Sequence, residues 1–231
     1  MKFLLVLVSV AACGSGVSHD PATDDMVAVP ATSFEMGCHM ATDPNCETDE
    51  LPYHVVMLAA FHIDRTEVTE AAYGMDPMSQ KPVANVSWFQ ADTYCRSIGK
   101  RLPTEAEWEL AARGTDDRVY PWGNDAPTCA LANFKDCGEV VDEVGMHPDG
   151  ASPYGALDMA GNVAEWVSDW YDAAYYANSP AADPTGPSTG TNKVTRGGDF
   201  SRGATDIRVA VRREPPPGDV ESEKGFRCAA P

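Results

Sequence analysis

Apolar and polar positions alternate along this chain only in short runs, each broken by turn residues before a long element could form. Two segments carry clear helix signals. Ser87 with Gln90 three residues on forms a capping box, which predicts a helix over 88–98 ended by Gly99. Thr104 with Glu107 repeats the device after Pro103 and predicts a helix over 105–113, stopped by Gly114, with Trp108 and Ala111 facing inward. A shorter helix is expected at 70–73. Strand patterns run over 26–34 (ending at Met36-Gly37), 53–63, 194–200 leading into a tight turn, 207–213 and 225–228. Polar, Gly- or Pro-rich loops separate them at 39–51, 74–83, 145–155, 178–192 and 214–223. No internal repeat and no linker divides the chain, so residues 26–231 are expected to form one domain.

Composition sharpens this picture. Hydrophobic residues make up 43% of the 231, enough for a real core, while 19 Gly and 18 Pro point away from a helical bundle. The net charge of −18 repels phosphate backbones, which excludes nucleic acid as a partner. Residues 1–12 read as an export signal, with Lys2 before an apolar run from Phe3 to Val10. Ala11-Ala12-Cys13 resembles a bacterial lipobox, so Cys13 is the expected lipidation site; plain cleavage and free secretion is the alternative. Residues 13–25 then form a flexible tether, and the lipid is the one expected link to a membrane, placing the protein at the bacterial cell envelope. Six cysteines remain: Cys38, Cys46, Cys95, Cys129, Cys137 and Cys228. Cys38/Cys46 and Cys129/Cys137 are close enough to close small loops, leaving Cys95 for Cys228, one of fifteen possible connectivities.

One stretch concentrates chemistry. From Asp158 to Trp166 the chain reads DMAGNVAEW, two acids around a Gly161-Asn162 turn. Gly and Asn tolerate positive φ, and a bent backbone turns carbonyls inward between the carboxylates of Asp158 and Glu165. Converging hard oxygens suit Ca²⁺. On these nine residues alone a surface turn with two solvated acids is the simpler reading, because no standard calcium-loop spacing is present.

Further motifs stand in order: Glu67-Val68-Thr69, Asn85-Val86-Ser87-Trp88, the run from Gly99 to Glu109, Tyr120-Pro121-Trp122-Gly123-Asn124, Gly161-Asn162-Val163-Ala164-Glu165-Trp166, Arg196-Gly197-Gly198 and Gly225-Phe226-Arg227. On these the chain resembles the formylglycine-generating enzyme family, also called the sulfatase-modifying factor family, over its whole mature length. The resemblance implies an irregular, loop-rich α+β fold of C-type-lectin type, with few helices, short twisted sheets and bound calcium. It implies calcium ligands from the Asp158 and Glu165 side chains and the Gly161 and Val163 carbonyls. A second calcium site would start at Asn133 and Phe134, but its carboxylate position falls near Gly145, which has none. The resemblance also implies the Cys95–Cys228 pair.

The family's oxidase chemistry uses copper held by two cysteines shortly after Arg-Gly-Gly, since soft thiolates select Cu(I). Here those positions fall at about Arg202 and Ile207, and the segment from Asp199 to Arg208 has no Cys. Copper is therefore not expected. Asp199 replaces a small Ser and Ala164 stands where a pocket Trp is frequent. His39, His54, His62 and His147 are scattered without metal spacing. Arg196, Asp199 and Arg202 could line the old active-site groove, or Arg and Asp could pair structurally. Arg208, Arg212 and Arg213 are expected in ion pairs, and Trp88, Trp108, Trp122, Trp166 and Trp170 in packing. The sequence thus favours a monomeric calcium-binding module recognising a protein or a small anionic ligand. The alternative is a family enzyme, either a formylglycine-type oxidase or a divergent oxidoreductase.

Overall fold

The computed structural model describes residues 25–231. The expected signal, the lipidation site Cys13 and all but the last residue of the tether lie outside the described residues.

The sequence is locally consistent where capping sets the ends. Helix α1 spans Glu70–Tyr73, α2 Trp88–Ser97 and α3 Glu105–Arg113. In α3 the Thr104 hydroxyl accepts the Glu107 N–H at 3.1 Å, and the Glu107 carboxylate accepts the Thr104 N–H at 2.8 Å. Ser87 and Gln90 make the same reciprocal box at α2. Each box satisfies amides that a helix start leaves without intrahelical partners.

The strand expectations hold in part. The run from residue 26 splits into β1 (Met26–Val29) and β2 (Thr32–Met36), because Pro30 cannot donate to a ladder. The run from residue 53 likewise splits into β3 (His54–Leu58) and β4 (Phe61–Asp64). β1 pairs antiparallel with β4, and β2 with β3, in the register Phe34↔Val56. Side chains of β2 and β3 alternate: Phe34, Met36, Val56 and Leu58 are buried, whereas Ser33, Glu35, Val55 and Met57 are exposed. The third sheet runs β6-β5-β7, formed by β6 (Lys193–Arg196), β5 (Ala164–Trp170) and β7 (Lys224–Gly225). The last strand, β8 (Ala229–Ala230), adds to the edge of β4. These short sheets and helices make an irregular α+β fold.

Two features run against the pattern. Residues 207–213 form no strand; a 3₁₀ turn at Ala204–Ile207 leads into an irregular segment. Every residue from Ile207 to Arg212 is buried, so the alternation there is not an inside-outside one. Conversely β5, the central strand of its sheet, was not foreseen, because Glu165, Ser168 and Asp169 are poor strand formers on their own.

Trp108 and Leu110 of α3 pack with Phe34, Val56, Ile63 and Val167 in the main core. A second cluster joins Leu102, Trp166 and Phe226 around the Cys95–Cys228 disulfide. Cys38–Cys46 and Cys129–Cys137 close the two small loops as spacing suggested. Among the described residues no helix is long and apolar enough to cross a membrane.

One buried acid reports on how the helix and sheet are joined. Asp169 of β5 accepts the Glu105 N–H of α3 at 2.9 Å and the Ser168 hydroxyl at 2.9 Å. Burial, and then the Glu105 charge, push its carboxyl up to about 7. Because the folded value lies above the unfolded one, the folded protein holds this proton from about pH 4 to pH 7, and stability from this group falls as pH rises through that window. Asp169→Asn keeps an acceptor and has no charge to bury. Its stability relative to the parent should therefore climb between pH 4 and pH 8, by on the order of 4 kcal/mol at most. Parallel urea titrations across that range check this, and a pH-independent difference would show that Asp169 is not the titrating group.

Candidate functional site

The turn after Asp158 has the geometry its sequence suggests. Gly161 and Asn162 both have positive φ, at 80° and 59°, and Asp158 joins them at 57°. A Cβ on Gly161 would collide with the Asn133 carbonyl oxygen, so this position needs glycine for approach as well as for conformation. Asn162 ties three segments together. Its N–H donates to the Asn133 carbonyl at 2.8 Å and its Nδ2 to Glu67 Oε1 at 3.0 Å. Its Oδ1 accepts the Asp142 N–H at 3.0 Å and the Asn133 Nδ2 at 3.3 Å.

Around this knot oxygen is left over. Glu67 Oε2 and Asn133 Oδ1 are buried without a hydrogen-bond partner. Among the described residues neither the Gly161 nor the Val163 carbonyl accepts a hydrogen bond. Asp158 accepts the Gly145 N–H at 2.6 Å, so Gly145 enters as a donor and supplies no carboxylate. Burial, with the Asp158 and Glu165 charges, pushes the Glu67 carboxyl well above the usual carboxylate range, and Arg227 only partly offsets this. Glu165 is turned toward Arg227, which grips both of its oxygens at 2.7 Å, while Trp108 Nε1 donates to Oε2 at 2.8 Å. Oε1 keeps a lone pair beyond its one bond. Glu67, Asp158 and Glu165 do not bring their oxygens within 4.8 Å of one another; among the described residues only Cys38, Cys46 and Glu50 do so. That trio is committed already, to a disulfide and to Arg208 at 2.8 Å.

A cleft of about 450 Å³ lies beyond β6. It is lined by Ala164, Thr195 and Gly198, by Asp199 and Arg202, and by Arg213, Glu214, Glu223 and Lys224. Gly198 has φ +66°, and a Cβ there would meet the Asp206 carbonyl oxygen at 2.6 Å. Asp199 is buried and accepts the Ser201 N–H at 2.9 Å and its hydroxyl at 2.6 Å. Arg202 touches it only at 3.4 Å and is 59% exposed.

One groove candidate is corrected. Arg196 does not reach the cleft. Its guanidinium is fully buried, paired with Glu109, and donates to the carbonyls of Val209 (2.8 Å), Ala210 (2.9 Å) and Val211 (3.0 Å). The segment from Val209 to Val211 has no strand partner of its own for these carbonyls, and the arginine takes that place. Ile207, at a position where the resemblance puts a copper thiolate, is also absent from the cleft; it packs with Tyr120, Phe134 and Ala160. Arg208 and Arg212 bind Glu50 and Glu105 at 2.8 and 2.7 Å in the interior. Burial pushes the Glu105 carboxyl up, but Arg212 and Arg196 outweigh it and hold it below its usual value.

Comparison with known proteins fits this arrangement. The sulfatase-modifying factor enzyme 1-like domain matches residues 15–75 and 74–231. The chain belongs to the sulfatase-modifying factor family. The formylglycine-generating enzyme of Thermomonospora curvata is 44% identical to it over 167 residues, covering 64% of this chain and 55% of that enzyme. The serine/threonine-protein kinase pkn1 of Chlamydia pneumoniae is 34% identical over 247 residues, covering 90% of this chain and 38% of that protein. The chain thus spans about half the length, or less, of these two relatives. Among solved structures, Treponema denticola variable protein 1 superposes with a TM-score of 0.78 at 26% identity, covering 89% of this chain and 94% of that one.

Within this sulfatase-modifying factor domain, sequence reasoning passed over Glu67 and Asn162 as site residues. Both stood inside quoted motifs, Glu67-Val68-Thr69 and Gly161-Asn162, but nothing local shows that a residue 95 positions away meets Asn162. The contrast between the two arginines is testable. Arg196→Met leaves Glu109 buried beside Glu105 with fewer cations, and should destabilise the domain by about 3–5 kcal/mol. Arg202→Ala removes an exposed side chain and should change stability by less than about 0.5 kcal/mol. Chemical denaturation of both variants measures this; equal losses would return Arg196 to the surface.

Proposed function

We propose that this protein is a calcium-braced recognition domain of the sulfatase-modifying factor family, exported and lipid-anchored through Cys13 at the bacterial cell envelope, with no copper oxidase activity. The observation that carries the reading is the cleft lining at Asp199 and Arg202. Copper(I) needs soft ligands. A guanidinium stands at one thiolate position, a core isoleucine at the other, and all six cysteines of residues 26–231 are in disulfides. The residues present do not fit the metal, so no redox step is assigned to them.

Calcium fits better. Glu67 and Asn133 offer buried acceptors without partners, Gly161 and Val163 offer open carbonyls, and at most two of the Glu67, Asp158 and Glu165 carboxylates reach one ion as placed. Arg227 is the cation that offsets these three acids, and a divalent cation would add positive charge beside it. Its effect would be to pin the turn to the segments holding Asn133 and Glu67.

Bound calcium should raise the melting temperature by several degrees at a hundredfold excess over Kd, which corresponds to about 2.7 kcal/mol of linkage. Glu67→Gln should melt higher than the parent in chelator, because it buries no charge, and should respond weakly to calcium. Thermal melts with calcium and with chelator check both; identical curves for the parent would remove calcium from the proposal. The oxidase question is decided by mass spectrometry of a Cys-Thr-Pro-Ser-Arg peptide incubated with protein, Cu⁺ and oxygen. The peptide should return with its thiol intact. Conversion to the aldehyde would establish the formylglycine-generating alternative, to which the 44% identical relative lends weight.

A further inference from the structure

The cleft beyond β6 contains eight charged side chains, but most are already spoken for. Arg213 binds Glu47 at 3.0 Å and Asp206 at 2.7 Å. Lys224 binds Asp219 at 3.2 Å and Glu221 at 2.8 Å. Asp199 holds the Ser201 turn. Three charges remain without a close partner among the described residues. One is the Arg202 guanidinium, held only by its 3.4 Å contact with Asp199. The others are the carboxylates of Glu214 and Glu223, which form neither an ion pair nor a side-chain hydrogen bond there. Thr195, 2% exposed, also lines the cleft, and its hydroxyl makes no hydrogen bond among the described residues. A hydroxyl that lines a cleft and has no protein partner is available to a ligand as donor and acceptor.

We infer that this cleft takes a zwitterionic ligand, one carrying a carboxylate for Arg202 and an ammonium or guanidinium for Glu214 and Glu223, with Thr195 binding a further polar atom. The inference rests on the recognition reading and narrows it. A purely anionic ligand would gain a bidentate pair with Arg202. It would also approach two uncompensated carboxylates in a protein of net charge −18. A purely cationic ligand would meet the opposite penalty at Arg202. Only a ligand with both signs satisfies the three groups together, so charge pattern gives the cleft its selectivity. The volume, about 450 Å³, is that of a small-ligand site. The chemistry has two sources, a free amino-acid-like compound or a segment of a peptide chain.

Isothermal titration of the full-length protein with end-blocked tetrapeptides tests this. The probes are Lys-Gly-Gly-Glu, Glu-Gly-Gly-Glu, Lys-Gly-Gly-Lys and Gln-Gly-Gly-Gln, with the free dipeptide Lys-Glu as a fifth. The mixed tetrapeptide or the mixed dipeptide should bind at least tenfold more tightly than any like-charged or neutral peptide. Whichever of the two binds more tightly identifies the source. Arg202→Ala should lower that affinity about tenfold without weakening Lys-Gly-Gly-Lys, and Glu214→Gln with Glu223→Gln should lower it without weakening Glu-Gly-Gly-Glu. If Glu-Gly-Gly-Glu binds best, the zwitterion inference falls and an anion-recognising cleft stands. If no charged probe exceeds Gln-Gly-Gly-Gln while the protein melts normally, the cleft does not read charge and recognition there falls as well.

Discussion

Arg227 shows what holds this fold together. Its guanidinium is buried and grips Glu165 with two hydrogen bonds of 2.7 Å. The same group donates to the carbonyls of Asp64 (3.1 Å), Arg65 (3.1 Å) and Leu157 (2.9 Å). A chain with few helices and short strands leaves many carbonyls without ladder partners, and a buried carbonyl must still find a donor. Arginine brings five donors in a rigid fork, and a paired acid neutralises the charge it carries inside. Arg196 does this for residues 209–211, and Arg212 for the carbonyl of Asp49 at 2.9 Å. These side chains act as substitutes for secondary structure.

The same pairing rule makes the two candidate sites intelligible. In most of the interior each buried arginine meets an acid, as Arg208 meets Asp43 and Glu50 and Arg212 meets Glu105. At the Asp158 turn the balance fails. Glu67, Asp158 and Glu165 share one arginine, and oxygen acceptors remain open. In the cleft it fails in a different way, with one cation and two carboxylates left outside the paired set. A site in this domain is a place where the internal charge network has not closed on itself.

Lys193 illustrates how costly closure can be. It lies between the Trp88 and Trp170 rings, at 3.8 and 4.0 Å from their centroids, and donates to the Ser168 carbonyl at 2.6 Å. Desolvation still lowers its amine to about 8, with Asp169 opposing that shift. Aromatic faces and one carbonyl recover only part of the lost hydration. The exposed Arg202 pays no such cost and stays free to change partners.

What the sequence determined by itself is local. Capping boxes at Ser87 and Thr104 set the ends of α2 and α3, because the groups that satisfy the first amides lie within three residues. Positive φ at Gly161 and Asn162 followed from residue type, and the loop cysteines paired with near neighbours. The motifs from Glu67 to Arg227 carried the family. Tertiary structure alone decided where the charges went. The sequence leads one to expect ion pairs for Arg208 and Arg212, a groove or an Arg-Asp pair for Arg196 and a turn acid in Glu165, but it names none of their partners. Whether such a residue is solvent-exposed, a core clamp or an open ligand depends on a partner 57 to 170 positions away. The energy of a buried charge is set by that partner and by the water excluded around it, and neither is written in the neighbouring residues.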